Sequence, residues 1–377
     1  MKKFLLSLLI LSPLTLYAQL NGSGYYRIQN SKTDRYFIMV DDTAWVVVTA
    51  STQDINTGAF KLVKPFEERV ATNPASICYL TKYTNTEYNV SGQGLDLYQR
   101  VHSYMSFRQR SNGTYTISGQ GSAGGVTLAK YLTDTEKRGN EAPVRTVESN
   151  LDDYAYWWIR PINDKYYFGF KPTVKASLDG GDSLYYAPFY ASFSFTMNSN
   201  VKAYYITEVR DGYALIHDFA YTIPGVTPVI VECKSALPEE NKVKLSLSTA
   251  QATGNKLKGV YFCNDVEAST EHRNVTVYNS NTMRVLGRTD DGRLAFVKSS
   301  SLVYIPANTC YLTVPAGSPD VIYVVKAIPD GIETVKASDV KPMQRGVWSL
   351  SGQRVSDTTD GLPKGVYIVN GRKTIIK

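Results

Sequence analysis

Gly24-Tyr25-Tyr26-Arg27-Ile28-Gln29-Asn30, then Arg35-Tyr36-Phe37-Ile38-Met39-Val40-Asp41-Asp42, then Phe60-Lys61-Leu62-Val63-Lys64-Pro65: these runs read as strand, polar turn, strand, longer loop, strand. The unit returns. Gly113-Thr114-Tyr115-Thr116-Ile117-Ser118-Gly119, Val126-Thr127-Leu128-Ala129-Lys130-Tyr131 and Trp157-Trp158-Ile159-Arg160-Pro161 repeat it. A looser middle copy runs through Ile77-Cys78-Tyr79-Leu80, Tyr88-Asn89-Val90-Ser91-Gly92-Gln93-Gly94-Leu95 and Met105-Ser106-Phe107-Arg108. The closing apolar residues Phe60, Met105 and Trp157 fall 45 and 52 residues apart. A unit of this size cannot bury its own apolar face, so three copies must share one core.

Outside this block the same grammar continues. Tyrosine is abundant, at 28 residues, alongside frequent Val, Ile and Thr, the residues that suit a pleated and half-buried surface. Windows rich in Ala, Leu or Glu are nearly absent past the N-terminus, so the expected class is all-β throughout. Residues 163–327 carry about ten short alternating runs, among them Val201-Lys202-Ala203-Tyr204-Tyr205-Ile206 and Pro228-Val229-Ile230-Val231-Glu232. Turn residues at regular spacing between such runs predict a β-sandwich-like arrangement. One phrase recurs there: Ile223-Pro224-Gly225-Val226-Thr227-Pro228-Val229-Ile230 is echoed 82 residues later by Ile305-Pro306-Ala307-Asn308-Thr309-Cys310-Tyr311-Leu312. Proline fixes φ and removes a donor, so each copy is expected to end one strand and turn into the next. With Tyr185-Tyr186-Ala187-Pro188-Phe189, the phrase resembles a β-rich module of Bacteroidota surface proteins that carries no activity of its own.

The repeated pattern of the first block, Gly24-Tyr25-Tyr26-Arg27-Ile28-Gln29-Asn30 through Phe60-Lys61-Leu62-Val63 to Trp157-Trp158-Ile159-Arg160-Pro161, resembles the ricin-type β-trefoil lectin domain over residues 19–162. The Gln-x-Trp mark of that family is not intact; Phe60, Met105 and Trp157 stand near its place. The resemblance implies one shallow sugar pocket per repeat, built from an acid, an amide and an aromatic platform. A carboxylate accepts hydroxyl hydrogen bonds, and a flat ring packs on the C–H face of a sugar. The matching positions are Asp41 or Asp42 with Trp45 in the first repeat, Gln93, Asp96 and Tyr98 in the second, and Tyr131 and Asp134 in the third. The implied partner is a glycan or a surface glycoprotein.

Both ends read as addresses. Lys2 and Lys3 precede an apolar run from Phe4 to Leu16, and Leu16-Tyr17-Ala18 ends on a small residue. That is the pattern of a secretory signal peptide over residues 1–18, too short and too broken to span a bilayer. At the other end, Gly346-Val347-Trp348-Ser349-Leu350-Ser351-Gly352-Gln353-Arg354-Val355 and Gly365-Val366-Tyr367-Ile368-Val369-Asn370-Gly371-Arg372-Lys373 flank a predicted Asn-Gly hairpin turn. This tail, residues 328–377, resembles the type A C-terminal sorting domain of the type IX secretion system of Bacteroidota, and so implies that machinery as a partner. The expected location is secreted or attached to the outer-membrane surface, reached through the periplasm.

Catalytic signatures are lacking. His102, His217 and His272 form no H-E-x-x-H, and no G-x-S-x-G elbow appears. Asp152-Asp153 and Asp290-Asp291 are adjacent turn acids rather than a pair across a cleft. Cys78, Cys233, Cys263 and Cys310 show no metal-ligand spacing, and leave both a disulfide and buried free thiols open. The formal charge is +7, or +5 without Lys2 and Lys3, and no dense Lys/Arg cluster marks a nucleic-acid surface. The expectation is a non-catalytic, exported carbohydrate-binding or adhesion protein with no cofactor, no metal and no transmembrane segment. A structural or protein-interaction surface protein without sugar binding, including a protease-inhibitor-like trefoil, is the second reading; a glycosidase is the third.

Overall fold

A computed structural model describes residues 20, 22–40, 55, 60–97, 104–123, 126–135, 139–248, 252–262, 276–328, 346–350, 353–369 and 372–376. Among them the chain is all-β. Beside the strands stand one helical turn, Phe66–Arg69, and 3-10 turns at Pro74–Ser76, Asp153–Ala155 and Pro238–Glu240. The signal-peptide reading of residues 1–18 lies outside the described residues.

The first block contributes β1 (Gly24–Asn30), β2 (Tyr36–Met39), β3 (Phe60–Val63), β4 (Cys78–Lys82), β5 (Glu87–Gly92), β6 (Leu95–Leu97), β7 (Tyr104–Gln109), β8 (Tyr115–Ala123), β9 (Val126–Thr133), β10 (Glu141–Pro143), β11 (Arg145–Val147) and β12 (Trp157–Pro161). Six of these close on themselves. β1 pairs with β4, β4 with β5, β5 with β7, β7 with β8, β8 with β12, and β12 returns to β1, antiparallel at every step. Closure removes the free edges that an open sheet would expose. Period-two alternation decides what faces inward. In β5, Tyr88, Val90 and Gly92 are buried, while Glu87, Asn89 and Ser91 lie half-exposed on the outer face.

The three residues spaced 45 and 52 apart in the chain converge in one core. Phe60, Met105 and Trp157 are all buried there, with Ile28, Phe37, Leu80 and Phe107. Burying side chains of this size stabilises by about 1.5–3 kcal/mol each. The Trp157 Nε1–H donates to the Leu132 carbonyl at 3.1 Å, so its one polar atom is satisfied. A buried ion pair, Arg35 Nη1 to Asp134 Oδ1 at 2.6 Å, ties the first repeat to the third.

In the second block, two sheets lie on either side of a phenylalanine-rich core. A four-stranded sheet runs in the order Phe168–Gly169, Lys242–Ser246, Ser194–Thr196, Thr222–Ile223. A ten-stranded sheet holds the longer strands Ser183–Phe189, Val201–Arg210 and Val229–Cys233. Val229–Cys233 is buried at every position, because Val229, Val231 and Cys233 face the phenylalanine core and Ile230 faces a second core. A strand covered on both faces reads as a continuous apolar run rather than an alternating one. Its single acid, Glu232, accepts hydrogen bonds on Oε2 from the Tyr186 and Tyr204 hydroxyls at 3.1 and 3.0 Å. The recurrent phrase is structural too. Val226 and Asn308, 82 residues apart, both adopt positive φ, at 58° and 56°.

The expected division at residues 162 and 163 is not a gap in the packing. Ile77, with Tyr25 and Ile162, packs into the phenylalanine core of the second block. The fully buried Arg27 donates from Nε to Ser76 Oγ, from Nη2 to the Val70 carbonyl and from Nη1 to the Tyr166 carbonyl, across the same junction. The chain instead divides between residues 328 and 329. Beyond that point a separate four-stranded sheet is ordered Arg354–Ser356, Val347–Trp348, Gly365–Val369, Arg372–Ile376. Val369 pairs with Arg372, and the Asn-Gly turn expected at Asn370 and Gly371 lies outside the described residues. Cys78, Cys233 and Cys310 are buried free thiols, and Cys263 lies outside the described residues.

Candidate functional site

The sequence-predicted residues separate on the structure. Asp41, Asp42, Trp45 and Tyr98 lie outside the described residues. Tyr131 is half-buried in β9, between Ser118 and Val147 as cross-strand partners. Asp134 is corrected from ligand to structural residue. Its side chain is fully buried, its Oδ1 also accepts the Thr135 N–H at 2.6 Å, and Thr33 Oγ1 donates to its other oxygen. A carboxylate fully buried and already accepting three hydrogen bonds is not open to a sugar. Gln93 is corrected in the same sense. It is buried, and neither polar atom of its side chain has a partner among the described residues.

Asp96 is the predicted acid that stays at the surface, and the local backbone explains why. Gln93 and Gly94 form the two-residue loop between β5 and β6, with φ of 51° and 74°. Positive φ at both positions is the tight-hairpin geometry that matches strand twist, and glycine makes the second position free of strain. The loop fixes the register Ser91 to Asp96. That register places Asp96 on the outer face beside Asn89, whose carboxamide hydrogen-bonds the carboxylate. Surrounding atoms desolvate Asp96 and raise its pKa above the usual aspartate value, and the bond from Asn89 opposes part of that rise.

Beside this acid–amide pair is a shallow pocket of about 340 Å³, walled by Tyr25, Tyr79, Ser91, Asp96, Ser192 and Leu247. The Tyr25 and Tyr79 rings meet edge to face, with centroids 5.0 Å apart, and the Tyr25 hydroxyl donates to the Ser246 carbonyl at 3.3 Å. Ser192 and Leu247 come from the second block. Ser192 Oγ is held by the Gln93 N–H at 2.9 Å, so the hairpin loop also pins the far wall. Leu247 is 71% exposed at the rim. The pocket therefore offers an acceptor, hydroxyls and aromatic surface within one depression, with the Asn89 amide bonded to its acid, a set suited to a polyhydroxylated ligand.

A larger concavity, about 780 Å³, lies elsewhere between the blocks, with Phe168, Phe170, Phe189 and Ile305 in its walls. Of its two acids, Glu68 and Glu141, the second is occupied by Lys61 and by Arg69 at 2.5 Å, which together hold that carboxyl below its usual range. Its walls are largely apolar and one of its acids is neutralised, so size alone does not make it the better candidate. Asn89, Tyr25 and Tyr79 were not singled out as ligands from the sequence. The alternation of β5 and the register imposed by Gln93-Gly94 are the signals that bring Asn89 to Asp96. Nothing local in the sequence brings Tyr25 or Ser192 there.

No protein-family profile matches the chain, and no curated protein does. Among solved structures, a mosquitocidal holotoxin is similar over 78% of this chain, at 10% identity and a TM-score of 0.26. The chain spans 34% of that structure's length.

Proposed function

We propose that this protein is a non-catalytic, exported surface protein that binds a glycan through the Asp96 pocket. One observation carries the reading: the Asp96 carboxylate, hydrogen-bonded to the Asn89 carboxamide, lines a shallow depression walled by Tyr25 and Tyr79. The six-stranded ring, and the convergence of Phe60, Met105 and Trp157 in its core, support a trefoil-like, lectin-like reading of residues 19–162. The buried Asp134 and Gln93 limit that reading, since neither the acid of the third repeat nor the amide first assigned to the second is open to a ligand. Recognition is assigned to the second repeat and its junction with the second block. The tail resemblance supports delivery to the cell surface, where display in many copies would compensate for weak single pockets.

A glycan-array screen of the full chain beside Asp96→Asn tests the site. The expected result is binding to a defined class of glycans that falls at least tenfold in the variant, while thermal unfolding shows the variant folded. Undiminished binding by Asp96→Asn would refute the assignment.

A further inference from the structure

The outer face that carries Asp96 does not end at the pocket. Asn89 is the direct cross-strand partner of Tyr104 in β7, so both side chains lie on the outer face with Asp96. Past Tyr104, in the turn that joins β4 to β5, stands Tyr83. Its ring lies flat on that of Tyr104, with centroids 4.7 Å apart and an angle of 13° between planes. Tyr83 is 68% exposed. Stacking satisfies one face of the ring and leaves the other open to solvent. The turn beneath it is fixed: the Tyr83 and Thr84 N–H groups both donate to the Glu87 carbonyl, at 2.9 and 3.1 Å, and Thr84 Oγ1 donates to Glu87 Oε2 at 3.0 Å. Four residues of β5 separate the level of Ser91 at the pocket from that of Glu87 near Tyr83, about 14 Å of strand. Between them the face presents Thr81, Asn89 and Ser106, all polar and none fully buried.

We infer that this face binds a neutral glycan chain lying along β5, with one sugar at Asp96 and another stacked on the open face of Tyr83. The inference rests on the glycan-binding reading of the Asp96 pocket and extends it from a single sugar to a chain. Asp96, at the level of Ser91, and Tyr83, near that of Glu87, are too far apart along β5 to hold one ring. The polar residues between them supply donors and acceptors for hydroxyls in transit. Charge sets the class of chain: the acids on the face, Glu87 and Asp96, disfavour uronic or sulfated sugars, and the aromatic faces favour uncharged rings with exposed C–H groups.

The test is calorimetric titration of the full chain with mono- to hexasaccharide series of β-1,4-linked glucose, xylose and N-acetylglucosamine and of α-1,6-linked mannose. Trigalacturonic acid serves as the charged comparison. In at least one neutral series the affinity is expected to rise tenfold or more between the monosaccharide and the tetrasaccharide, with trigalacturonic acid bound more weakly. In Tyr83→Ala, an exposed position where truncation does not disturb a core, the ratio of tetrasaccharide to monosaccharide affinity is expected to collapse toward one. Affinity independent of length, an unchanged ratio in Tyr83→Ala, or preference for the uronic chain would overturn the inference and leave the Asp96 pocket standing. Silence of the folded protein toward every neutral sugar would overturn both.

Discussion

At the scale of single residues, the acids of the first block show how burial assigns roles to identical side chains. Asp134 is enclosed with Arg35 and does structural work between repeats, where loss of one partner would strand a buried charge. Asp96 is desolvated, with a hydrogen bond from Asn89 that only partly opposes the effect, and its pKa is raised from the ordinary value of 3.8. The folded chain therefore keeps this proton to a higher pH than the unfolded chain. In the window between the two values the folded state binds more protons, so the contribution of Asp96 to stability falls as pH rises and is at its lowest at neutral pH. Asp96→Asn is expected to unfold at pH 7 at a temperature equal to or above that of the parent, with any gain vanishing as pH drops below about 4. Thermal scans across this range check it. A variant clearly less stable at pH 7 would mean that the ionised group supports the fold. The acid itself was legible in the sequence as a turn-flanking carboxylate of the second repeat. Its amide was assigned to Gln93, because sequence proximity does not reveal that the hairpin loop buries that side chain and turns Asn89 outward instead.

At the scale of elements, register and turn geometry decide most of what the site requires. The Gln93-Gly94 loop sets which residues of β5 and β6 face each other, and a slip of one residue would send Asp96 to the core. The echoed turns before the strands Val229–Cys233 and Thr309–Thr313 place Val226 and Asn308 at the same left-handed backbone position. Asparagine tolerates that conformation, whereas a β-branched side chain is strained there. Val226 is 61% exposed, so its side chain gains little from packing that would offset the strain. Val226→Asn, which copies the second turn into the first, is expected to raise the unfolding free energy by about 1 kcal/mol, as measured by urea denaturation. No change, or a loss, would show that the side chain makes a contact worth more than the strain.

On the scale of the whole molecule, the two upstream blocks are one packing unit and the tail another. Tyr25, Ile77 and Ile162 enter the core of the second block, and the pocket draws walls from both. The first block is thus not a detachable head, and on the proposed reading binding at Asp96 would depend on Ser192 being in place. The boundary between residues 328 and 329 separates the tail sheet from this unit. Deletion of residues 332–377 is therefore expected to leave the urea-unfolding transition of the upstream unit within about 1 kcal/mol of that of the full chain. On the sorting proposal, fractionation of the producing cells would find the truncated protein held in the periplasm. Its normal delivery to the surface would defeat the address reading of the tail.

Local pattern was enough for the all-β class. Alternation in β5, the apolar residues Phe60, Met105 and Trp157 at recurring positions, and the Asn370-Gly371 hairpin are short-range signals, written by side-chain direction and turn sterics that act within a few residues. The partners of those signals were decided by packing. Whether Asp134 or Asp96 meets solvent, whether Gln93 points out or in, and whether residues 162 and 163 separate two bodies all depend on contacts between segments tens of residues apart. Burial is a property of the assembled core, so an acid at a turn reads the same in sequence whether it will close an ion pair or open onto a ligand.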